Sequence, residues 1–246
     1  MSYSFETATL THTGKVRKVN EDSLYANAKS GVWVVADGMG GHRDGNIASN
    51  KITEAARKMA EQGEPNSRLS VHLSEVNREL MLISNGDESR LVGSTVTALL
   101  ANGGSYSCVW AGDSRCYLVR GGQIQQLSRD HTEVQEFVNN GLISAEEARN
   151  WHRRNVITRA VGADITLNLD EMQGNFADGD CFVLCSDGLT GHVTDAEILS
   201  TVTWAAPQPA CAGLVDLALE RGGRDNVSVI VIQVTLSSNT VITQKG

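Results

Sequence analysis

The stretch that decides how this chain is read is Val32-Trp33-Val34-Val35-Ala36-Asp37-Gly38-Met39-Gly40-Gly41. An apolar run rich in β-branched residues stops at a carboxylate, and glycines follow. The pattern predicts a buried strand that delivers Asp37 to its end. The loop after it has almost no side chains, so a metal ion, water or substrate could approach its backbone. One Asp-Gly alone marks an ordinary turn. Here the pattern returns. Residues 181–188 are a second apolar run ending in Asp187-Gly188, and residues 106–113 are a third ending in Asp113. Near the C-terminus the order inverts: Asp225-Asn226 precedes the strand-like run 227–234.

Carboxylates gathered at the mouths of buried strands repel one another unless cations neutralise them. Oxygen-only ligands point to Mg²⁺ or Mn²⁺ rather than zinc. Arg17 lies four residues before Glu21, and Asn20-Glu21-Asp22 is too far from any helical pattern to cap a helix. A guanidinium beside a carboxylate cluster is a candidate clamp for a phosphate, because its fork matches phosphate oxygens. His42, His131 and His152 each stand near the candidate site in sequence and are candidate proton donors to a leaving oxygen.

Composition narrows the classes. The chain has 246 residues and a formal charge of −8, which argues against bulk nucleic-acid binding. With 41% hydrophobic residues and 3 prolines it has the makings of a sizeable core. The five cysteines include no CxxC pair and read as small buried thiols, which suits a cytoplasmic protein. No signal peptide and no membrane span are visible.

In chain order, the alternation predicts a first strand over 5–13, a short strand over 24–26, and two amphipathic helices over 46–62 and about 67–84, packed as a pair on a sheet. Four strands over 96–127, separated by short Gly-rich connections, read as successive antiparallel hairpins. Residues 130–162 break that rhythm with two helical pieces and the basic, aromatic Trp151-His152-Arg153-Arg154-Asn155. Strands resume over 165–172 and 180–185. Thr194 is placed to cap a helix from Asp195, a further helix spans 207–221, and the tail from about 237 to 246 is polar and loose.

Arg17-x-x-Asn20-Glu21-Asp22, Asp37-Gly38-Met39-Gly40-Gly41-His42, Gly93-Ser94-Thr95, Gly112-Asp113-Ser114-Arg115, Asp130-His131, Ser186-Asp187-Gly188-Leu189 and Gly223-x-Asp225-Asn226 together resemble the ordered motif set of the metal-dependent Ser/Thr protein phosphatases. This is the PPM family, or protein phosphatase 2C type, in its short bacterial form. Each motif is weak alone, and the complete set in order is specific. The likeness runs from about residue 7 to residue 234.

The resemblance implies an α+β fold: a four-layer αββα sandwich of two antiparallel sheets flanked by helix pairs, forming one domain across 1–246. A flap covers about 141–158. It implies two Mn²⁺ or Mg²⁺ ions, with Asp37 bridging them, Asp187 and Asp225 completing one shell, and the Gly38 carbonyl with Glu21 serving the other. Asp22 would orient these ligands from behind, and Asp113 with Asp187 would hold a weaker third ion. Arg17 matches the family's phosphate-binding arginine. Relatives with a histidine directly after the Asp-Gly differ from this chain, which has Met39 there; His42 lies three residues on. The implied function is hydrolysis of phosphoserine and phosphothreonine in proteins by a monomer that opposes a bacterial-type kinase. The alternatives are a silent phosphoprotein-binding pseudophosphatase and an enzyme for small phosphate esters.

Overall fold

A computed structural model of the chain describes residues 2–40, 44–84, 91–149, 151–153 and 155–237. His42, Arg154, the helix stop at Asn85-Gly86 and the tail from 238 onward therefore lie outside the described residues. Two sheets organise the molecule. One holds β1 (Ser2–His12), β11 (Val227–Ser237), β10 (Cys181–Cys185), β7 (Arg115–Arg120) and β8 (Gln123–Gln126) in that spatial order. The other holds β2 (Asp22–Asn27), β3 (Val32–Gly40), β5 (Val96–Asn102), β6 (Ser105–Ala111) and β9 (Asp170–Asn175), with the short β4 (Val92–Ser94) on the end of β3. All pairings are antiparallel.

Side chains two apart on a strand share a face, and the apolar run in β3 serves two cores at once. Trp33 and Val35 point between the sheets, where they meet Phe182 and Leu184 of β10 and Ile230 and Ile232 of β11. Val32, Val34 and Ala36 point the other way, onto α1 (Gly45–Glu61) and α2 (Leu69–Ser84). On the far side, Cys181, Val183 and Cys185 pack against α6 (Asp195–Trp204) and α7 (Pro207–Glu220). Helix pair, sheet, sheet, helix pair: the four layers follow from strands that are apolar on both faces. Removing an interior ring such as Phe182 would cost about 3–5 kcal/mol.

Local signals set most helix ends. Thr194 and Glu197 form a reciprocal capping box at the start of α6. Pro207 opens α7. Thr132 caps α3 (Glu133–Asn139), and Ser144 with Glu147 does the same for α4 (Ala145–Arg149).

Four sequence expectations need correction. The strand through Asp37 does not end there: β3 continues to Gly40, because Gly38 and Gly40 pair with Ser94 and Val92. Residues 112–115 do not close a hairpin. They carry the chain from β6 in one sheet to β7 in the other. The strand expected over 165–172 lies at β9, where the available partner is β6; Ile165 is 87% exposed. The run 181–188 stops at Cys185, and Asp187 instead opens a one-turn helix, α5 (Asp187–Thr190). All five cysteines are free and buried, as expected. Among the described residues no helix is long and apolar enough to cross a membrane.

Candidate metal centre

The acidic side chains meet at one end of the gap between the sheets. Register places Asp22 of β2 directly opposite Asp37 of β3, and like charges so placed repel. Asp187, two residues past β10, also brings its carboxyl against that of Asp37. Asp225, just before β11, faces both Asp187 and Asp37, and Asp113 from the sheet-to-sheet crossing faces them too.

Each buried carboxyl is hard to ionise in this arrangement. Burial, then the charges of Asp22, Asp187, Asp113 and Asp225, hold Asp37 well above the usual carboxylate range. Burial pushes Asp22 up to about 6, although hydroxyls of Ser228 and Ser186 donate to its Oδ2 at 2.6 and 2.8 Å. Burial and Asp225 raise Asp187 to about 6. Burial, with Asp187 and Asp130, raises Asp113 to about 8.

Arg17 brings the positive charge. Its Nη2 donates to Asp225 Oδ2 at 2.7 Å, and it remains half-exposed at the rim, within reach of the charges of Glu21 and Asp37. Glu21 lies lower. A Cβ added to Gly45 would stand 2.7 Å from Glu21 Oε1 and 2.9 Å from Gly38 O, so both oxygens crowd the start of α1. A Cβ on Gly38 would collide with the Gly45 carbonyl, which is why glycine is needed there.

The donor set fits hard divalent cations. It is all oxygen, it includes a strand carbonyl, and Asp22 Oδ1 is buried with no protein partner. Among the described residues, no three His, Cys, Asp or Glu side chains already surround one point in ligating geometry. Arg17 is bonded to Asp225, one of the acids of this set.

A model of the protein phosphatase 2C family matches residues 12–214. The chain belongs to the protein phosphatase 2C family. It is 37% identical over 229 residues to the serine/threonine protein phosphatase PstP of Mycobacterium tuberculosis, covering 90% of this chain and 43% of that protein. The chain thus spans less than half the length of that relative. The serine/threonine phosphatase stp of Listeria monocytogenes is 32% identical over 248 residues, covering 96% of each chain. Among solved structures, the catalytic domain of PstP in complex with 2 manganese ions has a TM-score of 0.86 at 33% identity, covering 96% of this chain and 100% of that one. PppA, a key regulatory component of T6SS in Pseudomonas aeruginosa, has a TM-score of 0.84 at 36% identity, covering 95% and 100%.

Three supports of this protein phosphatase 2C site had no role assigned from sequence. Ser94 and Thr95 grip the Asp37 backbone: Asp37 N–H donates to Thr95 Oγ1 at 3.1 Å, and Asp37 O accepts from Thr95 N and Ser94 Oγ at 2.8 and 2.9 Å. Thr95 Oγ1 also meets Ser114 Oγ at 2.8 Å, tying in the turn that carries Asp113. Asn226 accepts from Glu21 N–H through Oδ1 at 2.8 Å, and its Nδ2 donates to the carbonyls of Thr13 and Val19. The signal for all three was the motif set itself; their partners lie far away in the chain.

The histidines separate. His131 is buried, with Nδ1 accepting from Gly112 N–H at 3.2 Å and Nε2–H donating to Asp170 at 3.1 Å. Burial lowers its pKa. Both nitrogens are thus committed, and it is a brace for the Asp113 turn rather than a proton donor. His152 is exposed beside the ring of Trp151 on the flap segment.

Proposed function

We propose that this chain hydrolyses phosphoserine and phosphothreonine in proteins, using two divalent cations to activate water. The observation that carries this reading is Asp37, half-buried between Asp22 and Asp187 with Arg17 at the rim. Asp37, Asp187, Asp225, the Gly38 carbonyl and Glu21 would hold the pair, and Asp113 with Asp187 a weaker third ion. When bound, Mn²⁺ or Mg²⁺ supplies the charge that lowers the pKa of an attacking water and neutralises phosphoryl oxygens.

The chain's own residues do the rest. Asp22, fixed by Ser186 and Ser228, orients the ligands from behind. Thr95 and Ser94 keep the Asp37 backbone from shifting as charge develops. Arg17 exchanges Asp225 for two phosphoryl oxygens, since its fork matches either partner. His42 is the proposed proton donor to the departing serine or threonine oxygen. Residues 141–158 act as the flap beside this mouth, in a single domain across 1–246.

The names of the relatives support phosphoproteins as substrates, with a bacterial-type Ser/Thr kinase as the opposing partner. Five reduced, buried thiols support a cytoplasmic setting, and we propose a monomer. A silent phosphoprotein-binding role would require a missing ligand, whereas every acid of the motif set is in place.

The test is hydrolysis of a phosphothreonine peptide before and after chelation. The expected result is loss of turnover in chelator and recovery with Mn²⁺. Full turnover in chelator would remove the metal mechanism, and turnover of p-nitrophenyl phosphate with none of the phosphothreonine peptide would favour small esters.

A further inference from the structure

The mouth of the site carries more positive charge than the chemistry above requires. The chain is −8 overall, yet two short loops there gather Lys15, Arg17, Lys18, Arg221 and Arg224. The loops lie side by side. Lys15 N–H donates to Gly223 O at 2.7 Å, and Gly14, at φ +83, approaches so closely that a Cβ would collide with the Asp225 carbonyl. Asn226 Nδ2 pins both ends of the first loop, at Thr13 O (2.8 Å) and Val19 O (3.0 Å). The charges are therefore carried on a fixed frame beside the candidate metal centre.

Two of these cations are occupied: Arg17 by Asp225 and Arg221 by Glu197. Lys15, Lys18 and Arg224 are exposed, and among the described residues they have no carboxylate partner. On α1, by contrast, Lys51, Arg57 and Lys58 are each matched by a glutamate. Val16, 66% exposed, adds apolar surface between the cations.

We propose that Lys15, Lys18 and Arg224 form a docking rim for acidic side chains flanking the phosphorylated residue, so that the preferred substrate class is the acidic phosphopeptide. This rests on the phosphatase reading above. A chain of −8 repels acidic peptides at a distance, and a local patch of opposite sign at the mouth reverses that where binding occurs. Ammonium groups accept carboxylates from many directions, so the rim selects a class of flank rather than one register.

Paired phosphothreonine peptides test this, identical except for Asp/Glu or Ser flanks, with p-nitrophenyl phosphate as the control. For the unaltered protein at low salt, kcat/KM should be about tenfold higher with the acidic flanks, mostly through KM. In the triple variant Lys15→Ala/Lys18→Ala/Arg224→Ala the preference should fall below about twofold, with the neutral peptide and the control unchanged. Salt at ~0.5 M should erase the preference in the unaltered protein. No preference in the unaltered protein, or a preference that survives in the triple variant, overturns the rim. Absence of Mn²⁺-dependent hydrolysis of the control overturns the phosphatase reading beneath it, so the two failures are distinct.

Discussion

Strand β10 has an aspartate at each end, and the two are treated in opposite ways. Asp180 precedes the strand with a fully buried side chain. Arg120 meets both its oxygens, at 2.6 and 2.7 Å, and Ala177 N–H adds a third bond. Asp187 follows the strand and faces Asp37, Asp225 and Asp113, while the two guanidiniums in its reach, Arg17 and Arg115, are bonded to Asp225 and Asp130 instead. At the first end the fold completes its own electrostatics. At the second it collects negative charge and leaves it uncompensated, which is costly unless something from outside supplies the balance. The lesson is that a buried aspartate becomes a candidate for function when its partners carry the same charge.

The widest separation should come from charge removal at each end. Asp37→Asn is expected to lower turnover by more than about a thousandfold while the metal-free protein stays folded, because one repelling carboxylate is gone. Turnover assays and thermal melts in chelator check both halves. Arg120→Ala should do the reverse. It strands Asp180 and costs about 2–3 kcal/mol of stability, an amount moderated by the exposure of Arg120, while the Mn²⁺ requirement is unchanged. Denaturant unfolding beside a Mn²⁺ titration reads this out; an altered Mn²⁺ requirement would erase the distinction between the ends.

The pH dependence sharpens the contrast further. Asp22 and Asp187 at about 6, and Asp113 at about 8, lie above the ordinary value of 3.8. Carboxyls raised in this way stabilise the fold in their protonated form. Their contribution is complete below the unfolded value and disappears as pH rises through 6 to 8. In chelator the melting temperature should therefore fall between pH 5 and pH 8.5, by roughly 5 °C or more, and saturating Mn²⁺ should close the gap. A flat profile in chelator would mean that the acids do not strain one another. The smallest effect is expected at the rim: Arg17→Ala should raise KM by about tenfold with a lesser change in kcat, measured by steady-state kinetics.

Much of this was legible in the sequence. The run 32–36 announced a strand buried on both faces, and the recurring Asp-Gly after apolar runs announced the acid cluster. What escaped depends on pairing at a distance. β4 is three residues long, too short to carry a period, so the continuation of β3 to Gly40 had no local sign. Gly112 to Arg115 has the composition of a hairpin turn, and a short glycine connection looks the same whether it closes a hairpin or changes sheets. Asn226 holds Glu21, Thr13 and Val19, each more than two hundred residues away. Ser186 and Ser228 reach Asp22 across similar separations. Side-chain bonds of that span leave no trace in periodicity or composition.

The most direct measurement is anomalous diffraction at the manganese edge from crystals grown with Mn²⁺. Two peaks are predicted in the pocket bounded by Asp37, Asp187, Asp225 and the Gly38 carbonyl, with Arg17 released from Asp225. A pocket without manganese, in crystals of protein that hydrolyses phosphothreonine peptide at full rate, would contradict the account.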